Sequence, residues 1–468
     1  MTSLRINPLD IPEIRSMVGQ YLRRSDLARC LRVCKSWHAS FVSLVWSTTT
    51  VVQEIYSRGR NPPLEAFIRY SHYLKDLFLN IDAPKDYRVA PCPNLLNLKV
   101  HIMRVYLKKK PIDIVPVVIA QYQQLRRLSI QASPMISQRV IWKPVHYHNL
   151  SELDLDLLEI EPAGTVAFWE LCTQLVSLKF EKVTVAEMPA RSITFDRLQR
   201  LRLELKSRNS LEHQLEWITQ CPNLTSLHWC YSDNPSSGVM RRFVPGTWLH
   251  LSELSLSRIE FTDAQMARVI GAMQDLKSLS VQTCEVGSRF LEALHHHSQT
   301  LTLLATISCG VLTPSFVPEI LASFPHLENL YVQRVKSKDI IDSPPWVCER
   351  SLKVLRIGIS FSLNQGAEYQ RQVLQRISRL TNLNKLIVDR GRQIEYSLDL
   401  RLENGLDQLA TLKQLEKLEL LFYMEHISVR DVEWMINNWK SLKVVDGYFR
   451  LPKQEELLSM FTAAGIKC

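Results

Sequence analysis

Glycine is scarce in this chain, 14 residues in 468, and none of it forms a phosphate-cradling loop, so a nucleotide site has little to be built from. Gly-x-Ser-x-Gly and His-Glu-x-x-His are absent, which removes the common hydrolase and zinc-protease signatures. The ten cysteines are scattered and make no Cys-x-x-Cys pair. That excludes a disulfide framework or a structural zinc site, and reduced, buried thiols are expected instead, Cys30 and Cys34 among them. His295, His296 and His297 are adjacent, so on a helix their side chains diverge; a surface run is expected, not a metal centre. No apolar run approaches the ~18 residues of a membrane helix, and the opening MTSLRINPLD lacks a basic-then-apolar leader pattern. The expected location is the cytosol or nucleus, without a membrane partner, a metal or a cofactor.

What the chain has is repetition. Hydrophobic residues make up 46% and charged residues 22%, the balance of a globular protein with a large core. A Leu-x-x-Leu-x-Leu unit recurs fifteen times, starting at Leu74, Leu95, Leu125, Leu150, Leu175, Leu198, Leu224, Leu251, Leu276, Leu301, Leu327, Leu352, Leu383, Leu415 and Leu442. Successive starts lie 21 to 32 residues apart and most near 25, the period of leucine-rich repeats. The leucines should point inward from short parallel strands. Stretches such as Asp263 to Met273, Val317 to Phe324, Tyr369 to Leu380 and Val429 to Trp439 should be helices between them. The expected fold is therefore α/β, a leucine-rich-repeat solenoid over residues 74–468 with strands on the concave face and helices on the convex one. Two units are irregular: Thr306 and Gly447 stand where a leucine belongs.

Residues between the repeat leucines should face outward along the concave side and are the candidates for holding a ligand. Asp154, Lys179, Arg202, His228, Tyr331 and Arg356 stand out in that row as charged or aromatic. Opposite charges on neighbouring strands can equally pair with one another across the ladder, an arrangement worth little energetically. Longer insertions near 103–116, 231–248, 335–350 and 389–404 carry further anchor candidates in Phe243, Trp248, Trp346 and Tyr396.

Net charge is +10, and residues 1–50 hold seven Lys/Arg against three acids. A basic end favours encounter with an acidic partner. Basic and aromatic residues are not gathered into a nucleic-acid-binding module, so nucleic acid is a rival partner without a motif to support it.

Residues 6–46 differ in kind from the repeats. Pro12 suits a first helical turn, with Asp10 available to cap it, and Ile14, Met17, Val18, Tyr21 and Leu22 recur at helical spacing. Ser25 and Asp26 mark a second start. Leu27, Cys30, Leu31, Cys34 and Trp37 then trace another stripe, continued by Phe41, Leu44 and Trp46. Three short helices follow, too small a unit to bury this surface alone. The segment resembles an F-box, through Ile11-Pro12-Glu13-Ile14, Tyr21-Leu22, Asp26-Leu27, Val33-Cys34-Lys35-Ser36-Trp37 and a closing Trp46. Only Ile11 departs, standing in place of the usual Leu. In style the sequence is similar to fungal F-box substrate receptors. The resemblance implies a domain at 1–50; a polar stretch from Ser47 to Pro63 then leads into a helix-like stretch, Leu64 to Tyr73, so 51–73 reads as a connecting helical segment. The resemblance also implies docking through Ile11, Pro12, Ile14, Leu22, Leu27, Val33, Cys34 and Trp37 on an SKP-type adaptor, which hangs on a cullin scaffold with a RING ubiquitin ligase. The chain would then catalyse nothing itself and would bring an unidentified protein substrate to that complex. A repeat scaffold with a helical cap and no link to ubiquitin is the other expectation the residues leave open.

Overall fold

The computed structural model describes residues 7–52, 61–80, 83–102, 122, 124–133, 138–143, 148–206, 211–231, 248–259, 261–309, 316–362, 366–389, 398–424, 427–449 and 454–468. The chain divides into two compact units, 1–222 and 223–468.

In the first unit, three helices lead into strands. Strands β1 (Thr48–Val51), β2 (Asp76–Asn80), β3 (Asn97–Ile102), β4 (Arg127–Ala132), β6 (Glu152–Asp156), β8 (Ser177–Val185) and β9 (Arg200–Leu205) pair in parallel in chain order. Two short strands, β5 (Gln138–Val140) and β7 (Leu158–Ile160), join the far end of β8 as a small second sheet. The register stacks Leu77, Leu98, Leu128, Leu153, Leu178 and Leu201 in one row, and all are at most 2% exposed. Alternation puts the intervening residues on the other face, so the leucine rows are the core and each repeat depends on its neighbours. β1 was not expected, since residues 47–63 read as a polar connection. Its β-branched run Thr48-Thr49-Thr50-Val51 suits a strand, and it covers the edge of β2 while burying Thr49 and Val51.

The second unit repeats the arrangement with β10 (Ser226–Cys230), β11 (Glu253–Ser257), β12 (Ser278–Gln282), β13 (Leu303–Ile307), β14 (Asn329–Lys336), β15 (Val354–Ser360), β16 (Lys385–Val388), β17 (Lys417–Met424) and β18 (Val444–Phe449), all parallel. Helices Asp263–Gly271, Phe316–Ser323, Ala367–Ile377 and Val429–Asn438 form where helical spacing predicted them, and Ser288–His295 is one more. Every one of the fifteen leucine motifs carries a strand. The fold is a leucine-rich-repeat solenoid of the α/β class.

Two devices hold successive repeats in step. Leu157 and Lys182, and then Arg258, Thr283 and Ser308, all sit at φ between 52° and 58° and recur 25 residues apart within each set. The left-handed residue redirects the chain, at a strand end or, for Lys182, at the bulge inside β8, and delivers the next side chain, Ile259, Cys284 or Cys309 in the second unit, into the core. Caps also cross from one repeat to the next. The Asp263 carboxylate accepts hydrogen bonds from the backbone N–H of Gly287 (2.8 Å), Arg289 (3.1 Å) and Phe290 (2.9 Å), satisfying the start of helix Ser288–His295. The two irregular residues fall where expected: Thr306 pairs with Val281 and Val332 in a leucine row, and Gly447 with Leu420. Beyond β18, helix Gln454–Ala463 buries Leu457 and Phe461, and the Val445 N–H donates to the Lys467 carbonyl at 2.8 Å.

Candidate functional site

The helical end consists of α1 (Pro12–Gly19), α2 (Arg24–Cys30) and α3 (Lys35–Trp46). Pro12 occupies the first turn of α1 as expected, but the caps differ. Asp10 closes a separate short turn, Pro8–Asp10, so Ile11 is the N-cap of α1 and offers no side-chain acceptor. Ser25 and Asp26 lie inside α2 rather than ahead of it. Asp26 serves in the first turn, where a carboxylate suits the helix dipole, and faces Arg29 at 3.4 Å.

Packing explains which face is left open. α1 turns Arg15 and Gly19 toward α3, and a Cβ at Gly19 would lie 2.6 Å from Leu44 and 2.8 Å from Phe41. The small residue permits that close approach, and Phe41, Val42 and Leu27 complete the interior. The rest of the apolar stripe therefore points away. Met17 is 64% exposed, Tyr21 88%, Val33 61%, Val18 41% and Ile11 37%. Five of the twelve large exposed apolar side chains among the described residues thus lie within 23 consecutive positions, which concentrates them in the helical end. Pro12 and Cys34 are exposed beside them. Ile14, Leu22 and Trp37 are half-buried, with Trp37 edge-on to Phe41 at 5.5 Å, while Leu27 is buried beneath. Of the eight candidate docking residues, Ile11, Pro12, Val33 and Cys34 are thus open to a partner, and Leu27 acts only through the packing under them.

Cys34 is not the buried apolar residue the sequence led us to expect. It stands at the N-cap position of α3 without a side-chain capping bond, and it is exposed. Cys30 is half-buried, whereas seven of the remaining eight cysteines are buried. Burial pushes the thiols of Cys92, Cys284 and Cys348 up to about 12.

Three of the six outward candidates lie on strands of the first unit and three on strands of the second. Asp154, Lys179 and Arg202 are neighbours on β6, β8 and β9, and the lysine bridges Asp154 at 3.5 Å and Glu181 at 2.9 Å. Burial opposes the charge on Lys179, yet the hydrogen bond to Glu181 wins and holds its pKa above the ordinary value. Glu181, which sequence reasoning missed, is held low by the same bond. Asp156 goes the other way, raised by burial and by the Glu181 charge despite a hydrogen bond from Gln131 at 2.9 Å. In the second unit Tyr331 and Arg356 are adjacent, while His228 lies four strands from Tyr331, with Ser255, Ser280 and Ala305 on the three strands between. Arg356 donates twice to Asp389, at 2.9 and 2.7 Å, and Gln333 donates to the same oxygen. Asp389 carried no signal, because the pairing depends on a loop conformation. These side chains mostly satisfy one another across the ladder, the arrangement expected to contribute little.

Trp248 and Trp346 are buried, and the Trp346 indole N–H donates to Ser343 at 2.9 Å, so neither is a surface anchor. Phe243, Tyr396 and the 103–116 insertion lie outside the described residues. The histidine run is not wholly superficial, since His297 is 1% exposed, its Nε2 3.2 Å from the Ile270 carbonyl. No group of three or more His, Cys, Asp or Glu among the described residues is placed to hold a metal, and no described helix is long and apolar enough to cross a membrane.

No protein family and no curated protein matches the chain. Among solved structures, an internalin (inlF) from Listeria monocytogenes is similar over 89% of this chain and 98% of its own, with 13% identity and a TM-score of 0.41. The fold rests on the strand register given above and not on that likeness.

Proposed function

We propose that this chain is the substrate-recognition subunit of an SCF-type ubiquitin ligase, with residues 1–50 an F-box that docks on an SKP-type adaptor and the repeats holding a protein substrate. The observation that carries the reading is the patch of Ile11, Met17, Val18, Tyr21 and Val33, left uncovered although the helices beneath it are packed. An unpartnered apolar patch on a soluble fold favours a protein partner. The partner is an acidic adaptor because the same end holds seven basic residues against three acids. Its function is positional: docking at one end and cargo along the repeats raise the effective concentration of a substrate lysine near a ubiquitin-charged enzyme. In this reading the chain delivers the substrate, and catalysis belongs to the rest of the complex.

The test is capture of a purified SKP-type adaptor by the full chain and by a chain with Pro12→Ala and Trp37→Ala. Capture by the parent and loss in the variant, with the strands still giving a cooperative melt, supports the reading. Equal capture by both counts against it.

A further inference from the structure

Arg15 is an odd residue to find inside a three-helix unit. It is 4% exposed, its Nε–H has no partner, and no acidic side chain among the described residues pairs with it. Burying a guanidinium without a carboxylate is costly unless another anion comes near. Its terminal N–H donates to the Ser36 hydroxyl at 2.8 Å, and that hydroxyl lies 3.2 Å from the Cys34 sulfur. Ser36 can thus accept from Arg15 and donate to sulfur, linking the buried cation to an exposed thiol. Cys34 also sits at the N-terminus of the twelve-residue α3, where unpaired amides favour negative charge. The Ser36 hydroxyl, the Trp37 and Ser36 amides and the Arg15 charge together hold the Cys34 thiol below its ordinary range, opposite to the buried cysteines. Cys468, exposed too, is shifted upward by burial of its sulfur.

We infer that Cys34 is a reactive thiol, that its deprotonated form exchanges with low-molecular-weight disulfides, and that the resulting mixed disulfide closes the docking face next to Val33. In the exchange the Cys34 sulfur attacks one sulfur of glutathione disulfide. A Cys34–glutathione S–S bond forms, the original S–S bond breaks, and one glutathione leaves as the thiolate. Cys34 is oxidised by as much as the departing glutathione is reduced, so no further oxidant is needed. The adduct places a tripeptide with two carboxylates on a surface suited to an acidic partner. The masking rests on the docking reading above; the reactivity does not.

The experiment treats the intact chain with glutathione disulfide and follows each cysteine by peptide mass mapping. Cys34 is expected to react about tenfold faster than Cys30 or Cys468, and Ser36→Ala is expected to slow it about threefold without changing Cys468. Equal rates at Cys34 and Cys468, or no effect of Ser36→Ala, overturn the reactivity. A second arm compares capture of the SKP-type adaptor by untreated, glutathionylated and dithiothreitol-restored chain. A drop of about tenfold that dithiothreitol reverses supports the masking. Undiminished capture by the modified chain overturns it, while absence of capture by the untreated chain overturns the docking reading and leaves the rates to judge the thiol.

Discussion

Replacing Val33 by Asp separates docking from folding. The residue follows α2, its backbone N–H bonded to the Cys30 carbonyl at 3.2 Å, and 61% of its surface is open. Few contacts are lost in the free protein, so stability should stay within about 0.5 kcal/mol of the parent. In a complex, full burial of a valine is worth roughly 1.5–3 kcal/mol, and the open part accounts for about 1–2 kcal/mol of that. A carboxylate there adds desolvation without a partner and repulsion from an acidic adaptor, at least about 1–3 kcal/mol more. The sum is about 3 kcal/mol, or roughly a hundredfold weaker binding. Leu27→Ala is the companion: at 6% exposed it should cost about 2–5 kcal/mol in the helical end. Titration calorimetry against the adaptor and circular-dichroism melts read the two effects. If Val33→Asp binds within threefold of the parent, or melts as early as Leu27→Ala, the assignment of this face is wrong.

Three further expectations concern the repeats. Thr306 is 1% exposed in a leucine row and its hydroxyl has no partner, so the near-isosteric Thr306→Val should stabilise the second unit by about 1–3 kcal/mol, read as a higher urea midpoint. Asp263→Ala removes the acceptor of three backbone N–H groups in the next repeat and should cost about 1–3 kcal/mol, with hydrogen exchange rising first at Gly287 to Phe290. Burial lowers the pKa of His297, so the unfolded chain takes up the proton first as pH falls. Stability should therefore decline from just above pH 6.5 down through the folded value, at no more than about 1.4 kcal/mol per pH unit for one proton, and His297→Gln should flatten that slope in melts between pH 7.5 and 5.5.

The leucine spacing was enough to place all fifteen strands, because a period-2 apolar pattern recurring near 25 residues has only one way to bury itself: by stacking parallel strands. It also located Thr306 and Gly447 in the buried row. β1 was missed for the same reason, since Thr48 to Val51 carries no leucine motif and becomes a strand only because β2 offers it an edge. In the helical end Met17, Val18 and Tyr21 were visible as part of a stripe, and Ile11 and Val33 only through the resemblance, but the direction of none was. A helix with Arg15 and Gly19 on one side and Met17 and Val18 on the other looks, by hydropathy alone, as if the second side should be inside.

Period and composition therefore determined the repeat architecture, since those depend on local spacing and on burial summed over many equivalent leucines. Which apolar side chains stay uncovered, which charges pair, and which of ten cysteines is held at a helix start beside a buried cation were decided only by tertiary packing. Each of those outcomes turns on distances of a few ångströms between residues far apart in sequence, such as Arg15 and Ser36 or Arg356 and Asp389, and no local pattern encodes them.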